Sequence, residues 1–231
     1  MSYSTWDAFG NAYLVYEGEP LASERVRELV GDTDGILEVL ETDATSARIT
    51  IWNPDGSTAE LSGNGTRIAA TWLAERTGAS EVSIHVGPRT MVARFLADGL
   101  VEQDMGPVEV FEPEEVGGYD VTRVSVGNPH AVVAGDPASI TEIGPLLETH
   151  PRFPNRTNVQ VARVDAPGVV TARVWERGVG ETLASGTSAV AVAAATHGEG
   201  AVEVRFPGGD LNVRLAGGRA FLSGPPARKH D

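Results

Sequence analysis

The chain has 231 residues, of which 41% are hydrophobic and 22% charged, with 27 glycines, 14 prolines and no cysteine. A net charge of −14 argues against nucleic acid or an anionic membrane surface as partner, because both would repel it, and the missing cysteines exclude disulfides, thiolate metal sites and a thiol nucleophile. The length suits one large domain or two of about 115 residues; with no basic-then-apolar leader and no apolar run of about 20 residues, a soluble cytoplasmic protein is the expectation.

Short strands dominate the first half. Residues 13–16, 35–40 and 47–52 read as strands, the last alternating polar and apolar as a half-buried strand should. Asn53-Pro54-Asp55-Gly56 is a turn. A helix is predicted over 66–76, with Ile68, Ala69, Trp72 and Leu73 at helical spacing and Gly78 as its stop. Strands follow at 80–86, 90–96 and 100–104.

The segment 109–119, rich in Glu, Pro and Gly, is the expected boundary, giving halves of 1–115 and 116–231 with a last strand that can cross back to the first. The second half repeats the style. Strands are predicted at 121–126, 131–133, 159–164 and 169–175. A helix over 189–195 is apolar on every side and must be surrounded by protein. Gly198 and Gly200 end it, and strands at 202–206, 211–215 and 220–222 close the chain. Each half is therefore expected to wrap its strands around one central helix.

Each of those helices begins at the same kind of turn. Leu61-Ser62-Gly63-Asn64-Gly65-Thr66 lies in the first half and Ala184-Ser185-Gly186-Thr187-Ser188 in the second. A serine before a helix is most often a simple cap. Two matching Ser-Gly turns carry more meaning. A helix start offers backbone N–H groups and a positive dipole end to a carboxylate or phosphate. Two such starts, each with a hydroxyl, suit two-sided capture of one anionic group, the geometry that inverting a stereocentre requires. Asn64 and Thr187 would add their backbone N–H groups.

Other turns add polar side chains. Glu176-Arg177-Gly178-Val179-Gly180-Glu181-Thr182 places an arginine just before the second Ser turn, where it can clamp a carboxylate bidentately. Gly127-Asn128-Pro129-His130 ends a strand with an amide and an imidazole. Asn11, Asn53 and Asn158 sit on further turns, where asparagine commonly serves the turn alone. No phosphate loop, dinucleotide fingerprint or metal-ligand spacing is present.

Taken together, these motifs closely resemble the diaminopimelate epimerase family. The resemblance runs nearly end to end, through Gly10-Asn11, Asp34-Gly35, Asn53-Pro54-Asp55-Gly56, Ser62 to Arg67, Gly127 to His130, Phe153-Pro154, Thr157-Asn158-Val159, Glu176 to Thr182 and Ser185-Gly186-Thr187. It implies an α+β fold of two pseudo-symmetric halves, each a β-barrel-like sheet around a central helix, with the site in the cleft between them. It implies a cofactor-independent and metal-free epimerase of LL- and meso-diaminopimelate, acting in lysine and peptidoglycan synthesis, and often homodimeric. The carry-over makes Ser62, Ser185, His130 and Glu176 catalytic. Asn64 and Thr187, with Gly63 and Gly186, would hold the carboxylate at the reacting carbon. Asn53, Asn158 and Arg177 would hold the distal amino-carboxylate, and Asn11 and Asn128 would line the pocket.

The departure is at the centre, where the family's usual cysteine pair is replaced by Ser62 and Ser185, and Ile68 and Val190 stand where cysteines are frequent in relatives. A thiol titrates near ~8.5 and an unactivated alcohol near ~15.7, as water does. At about 1.4 kcal/mol per unit, the alkoxide is about 10 kcal/mol harder to form. One oxyanion donor recovers only about 3–4 kcal/mol. His130 and Glu176 are therefore expected either to deprotonate serine in concert or to act as bases themselves. Two alternatives stand beside this reading: a racemase, dehydratase or isomerase of another amino acid, and a silent diaminopimelate-binding homologue.

Overall fold

The computed structural model describes residues 2–8, 10–97 and 99–230. The chain forms two compact units, one of Met1–Asp104 with Gly224–Asp231 and one of Met105–Ser223.

In the first unit, β1 (Ser2–Ala8) and β2 (Asn11–Glu17) form an antiparallel hairpin. The short α1 (Ser23–Leu29) then crosses to β3 (Gly35–Thr42), parallel to β2. β4 (Ser46–Trp52) returns antiparallel and carries the two-residue β5 (Thr58–Ala59) at its end. α2 (Gly63–Thr77) makes the second crossover, to β6 (Glu81–Val86), which runs parallel to β4. β7 (Arg89–Phe95) and β8 (Val101–Pro107) complete an antiparallel meander. Each parallel pair needs a long crossover, and a helix supplies it.

The second unit repeats this order. β9 (Glu109–Val110) and β10 (Glu114–Val116) both pair with β11 (Tyr119–Ser125), which forms a hairpin with β12 (Pro129–Ala134). A 3-10 turn (Pro137–Ser139) and α3 (Ile140–Glu148) cross to β13 (Asn158–Ala166), parallel to β12. β14 (Val169–Glu176) returns with β15 (Gly180–Thr182) on its end. α4 (Gly186–His197) then leads to β16 (Gly200–Phe206), parallel to β14, and on to β17 (Gly209–Ala216) and β18 (Arg219–Gly224). The chain ends with β19 (Arg228–Lys229), paired with β1.

The likeness between the units extends to an irregularity. The β3–β4 register slips between Val39 and Glu41, and the β13–β14 register slips between Val164 and Ala166. In each unit the sheet curls around one helix: α2 packs on β1, β2, β4, β6 and β7, and α4 on β11, β12, β13, β14, β16 and β17. Every residue from Ala189 to Ala193 in α4 is fully buried, as its all-round apolar sequence requires.

Two helices go beyond the expectation of one per half. α1 buries only Val26, too little to print a helical period on the sequence. α3 contains Gly144 and Pro145, both helix-breaking by propensity. Its glycine is needed for close approach, because a Cβ at 144 would lie 2.7 Å from the Cβ of Trp175. The segment 109–119, expected to hold the boundary, contains β9 and β10, and the two compact units meet in the chain at Asp104.

Candidate active site

In the first unit, Asn11 opens β2 opposite Ala8. Asn53 opens the turn after β4, its amide donating to Ser57 Oγ at 2.9 Å and its carbonyl accepting from Gly56 N at 3.0 Å. Ser62 is the N-cap of α2: its backbone is extended, and its Oγ accepts from Gly65 N at 3.0 Å. The same oxygen accepts from the Tyr13 hydroxyl at 3.2 Å. Gly63 and Asn64 in the first turn are buried.

One turn deeper, Thr66 Oγ1 donates to Ser62 O at 2.9 Å and accepts from Gln103 Nε2 at 3.0 Å. Beneath it, the fully buried Arg67 donates through Nη1 to the carbonyls of Val101 and Gly224 at 3.0 and 3.1 Å. Burial pushes its pKa down to about 10, so it stays charged at neutral pH and bolts α2 to two strand ends.

The second unit is more densely wired. His130 opens β12 and is 1% exposed. Its Nε2 lies 2.9 Å from Asn128 Oδ1, and Asn128 Nδ2 lies 3.4 Å from Thr187 Oγ1 in the first turn of α4. On the other side of the ring, Gln160 Nε2 lies 3.0 Å from Nδ1 and also donates to Ser188 Oγ at 3.0 Å. Burial, reinforced by the Arg177 charge, pushes the imidazole pKa down to about 3 despite an opposing contribution from Gln160. Both ring nitrogens are engaged in hydrogen bonds, and the ring is neutral at neutral pH.

The loop after β14 is held from two sides. Asn158 Oδ1 accepts from Arg177 N at 3.0 Å while its Nδ2 donates to Pro129 O at 3.0 Å. The buried Glu148 accepts from Trp175 Nε1 at 2.7 Å and from Gly178 N at 2.8 Å. Gly178 has a φ of 79°, a left-handed turn that favours glycine. Glu176 Oε1 accepts from the Thr182 hydroxyl at 2.6 Å. Ser185 precedes α4 as Ser62 precedes α2, but its side chain makes no cap hydrogen bond. Gly186 and Thr187 are buried behind it.

Within the second unit, Asn128, His130 and Thr187 thus form one hydrogen-bonded chain, and Asn158 and Arg177 form another. Three contributors were not singled out by the sequence, Tyr13, Glu148 and Gln160, while Arg67 and Ser188 stood in the quoted motifs without a role. Gln160 alone left a signal, as a polar residue within the apolar run Val159-Gln160-Val161. Among the described residues, no group of three or more His, Asp or Glu is placed to hold a metal ion, and no helix is long and apolar enough to cross a membrane.

Comparison with solved structures identifies the fold first. A Pseudomonas aeruginosa protein described as a predicted epimerase matches with a TM-score of 0.75 at 16% identity, covering 99% of this chain and 96% of that one. A hydroxyproline epimerase from Agrobacterium vitis matches with a TM-score of 0.66 at 16% identity, covering 99% and 90%. The chain shares its fold with these two proteins. A family model for diaminopimelate epimerase matches residues 122–227. A diaminopimelate epimerase of Desulforudis audaxviator is 37% identical, covering 100% of this chain and 98% of the relative. The chain belongs to the diaminopimelate epimerase family and is an amino-acid epimerase.

Proposed function

We propose that this protein interconverts LL- and meso-diaminopimelate by proton transfer at the α-carbon, without a cofactor. The observation that carries the reading is the equivalence of Ser62 and Ser185. They precede the matching helices α2 and α4 in two copies of one topology. In this reading the two helix starts serve opposite faces of one α-carbon. The backbone N–H groups around Gly63, Asn64, Gly186 and Thr187 hold its carboxylate. Asn53, Asn158 and the Arg177 guanidinium take the distal amino-carboxylate, for which bidentate geometry suits arginine, and Asn11 and Asn128 line the pocket. Only a two-headed substrate calls for that distal set.

The serines need help as bases, and the two differ. Ser62 Oγ already accepts two hydrogen bonds, from Gly65 N and Tyr13, so it donates its own proton in one direction and, with those two donors holding the oxygen, recovers a proton from the substrate in the other. Ser185 has no cap bond, and Glu176 lies on the loop leading to it. Glu176 is therefore the general base of this reading, acting on the substrate directly or through Ser185. A neutral His130 contributes alignment. The acidic chain suits a small-molecule substrate with locally positive surroundings, not a nucleic acid, and the reading places it in the cytoplasm as a homodimer.

The test is incubation with LL- or meso-diaminopimelate in deuterated water. α-Proton exchange with appearance of the other isomer is expected; the absence of both would sink the proposal. A second reading, a silent diaminopimelate-binding homologue, rests on the full use of Ser62 Oγ as a cap. It gains if Ser62→Cys/Ser185→Cys creates activity where the wild type has none. Exchange with another amino acid and none with diaminopimelate would instead indicate a related racemase, dehydratase or isomerase.

A further inference from the structure

The buried chain Ser188–Gln160–His130–Asn128–Thr187 has a direction. Each link has one donor and one acceptor, and two polarities satisfy the same distances. In the first, Gln160 Nε2 donates to His130 Nδ1, His130 Nε2–H donates to Asn128 Oδ1, and Asn128 Nδ2 donates to Thr187 Oγ1. In the second, both amides are turned over, the proton sits on Nδ1, and Thr187 donates to Asn128.

The burial of Gln160 selects between them. Its side chain is 0% exposed, and the end facing the ring reaches both His130 Nδ1 and Ser188 Oγ at 3.0 Å, while its far end meets no polar group. With nitrogen facing the ring, both amide hydrogens are used and only a carbonyl oxygen is left over. With oxygen facing the ring, two buried N–H groups are stranded. Orphaned N–H groups are rarer in proteins than under-used carbonyls, so the first polarity is favoured. Under it, Thr187 Oγ1 is an acceptor toward Asn128, and its own proton is left to donate to another acceptor.

We propose that Gln160 is a positioning residue that fixes His130 as the Nε2–H tautomer and thereby commits the Thr187 hydroxyl to donating to a substrate carboxylate. The proposal rests on the carboxylate-binding role of Thr187 in the reading above. It explains why the strand position is polar at all. At the corresponding third pair of β2 and β3, opposite Val15, the first unit has Leu37; Gln160 sits opposite Val132 in the same register of β12 and β13. Packing alone would be met by an apolar residue there too.

The experiment is a histidine-ring ¹⁵N–¹H correlation spectrum of the full chain, with His130 assigned by His130→Gln. The wild type is expected to show protonated Nε2 and unprotonated Nδ1. Gln160→Glu presents only acceptors to the ring and is expected to move the proton to Nδ1. Binding of meso-diaminopimelate by calorimetry should weaken about tenfold in Gln160→Glu and in Thr187→Val, with no further loss in the double variant. If Gln160→Glu does not fold, Gln160→Met, of similar volume, is expected to give a mixture of tautomers and an intermediate affinity. An Nδ1–H ring in the wild type overturns the proposal, as does additive weakening in the double variant. Wild type with the expected tautomer but no affinity for diaminopimelate counts against the functional reading alone and leaves the relay standing.

Discussion

The two units share one topology but differ in what their equivalent positions carry. At the first pair of the parallel crossover, Tyr13 faces Gly35 in one unit and His130 faces Asn158 in the other. At the third pair the first unit has Leu37 and the second Gln160. The first unit therefore wires its serine locally, through a cap bond and a tyrosine hydroxyl. The second leaves Ser185 uncapped and runs a buried polar relay to the neighbouring threonine. The lesson is that topology fixes where the two helix starts lie, while a few strand residues decide which chemistry each start is prepared for.

A third contrast concerns tryptophan. Trp52 ends β4 and Trp175 is the last residue but one of the matching β14, and each donates its indole N–H to a buried glutamate at 2.7 Å. In the first unit that glutamate is Glu38 on β3, which also accepts from Leu21 N at 2.7 Å. In the second it is Glu148 on α3, which also holds the Gly178 turn. The second arrangement ties a scaffold contact to the Arg177 loop; the first does not.

These contrasts lead to tests of decreasing size. Ser185→Ala should lower diaminopimelate exchange by about 10²-fold or more, a general acid–base-sized loss, while changing stability by less than about 0.5 kcal/mol. Equal loss of stability in Ser185→Ala and Ser62→Ala would erase the contrast. By chemical denaturation, Glu148→Ala should cost about 3 kcal/mol, because two part-buried hydrogen bonds to a charged acceptor are lost at roughly 1.5–3 kcal/mol each. It should also raise KM for diaminopimelate, whereas Glu38→Ala should cost a similar amount with KM unchanged.

A pH effect comes next. The His130 pKa is lowered from 6.5 to about 3 in the folded protein, so below pH 6.5 the unfolded chain binds a proton the native state does not. The stability linked to this group is complete above pH 6.5 and falls as pH drops toward 3, by up to about 1.4 kcal/mol per unit. His130→Gln should remove that slope in denaturation curves measured between pH 6.5 and 4. The smallest effect is that of Ser62→Ala, about 1 kcal/mol from the lost cap.

Much of this was legible in the sequence because it is written in turns and periods. The Ser-Gly turns announced both central helices, and the unbroken Ala/Val run announced that α4 is enclosed. The glycine-rich loop at 176–182 announced Arg177. The short helices α1 and α3 were not legible: one buries a single residue, and the other contains a glycine chosen for Trp175, not for helix propensity. The relay was hidden for another reason. His130 and Gln160 are thirty positions apart in sequence and meet only through the parallel register of β12 and β13. Burial then lowers the basicity of the histidine, an effect that its place in the sequence does not show.

The central claim is that two serines serve the two faces of one carbon. It is tested most directly by following exchange and inversion separately, by NMR and chiral analysis, in deuterated water for the wild type, Ser62→Ala and Ser185→Ala. The account predicts exchange coupled to inversion in the wild type. It predicts loss of inversion in each variant, with slow exchange without inversion surviving only from the isomer whose α-proton faces the intact serine. Inversion at wild-type rates in either variant would contradict it.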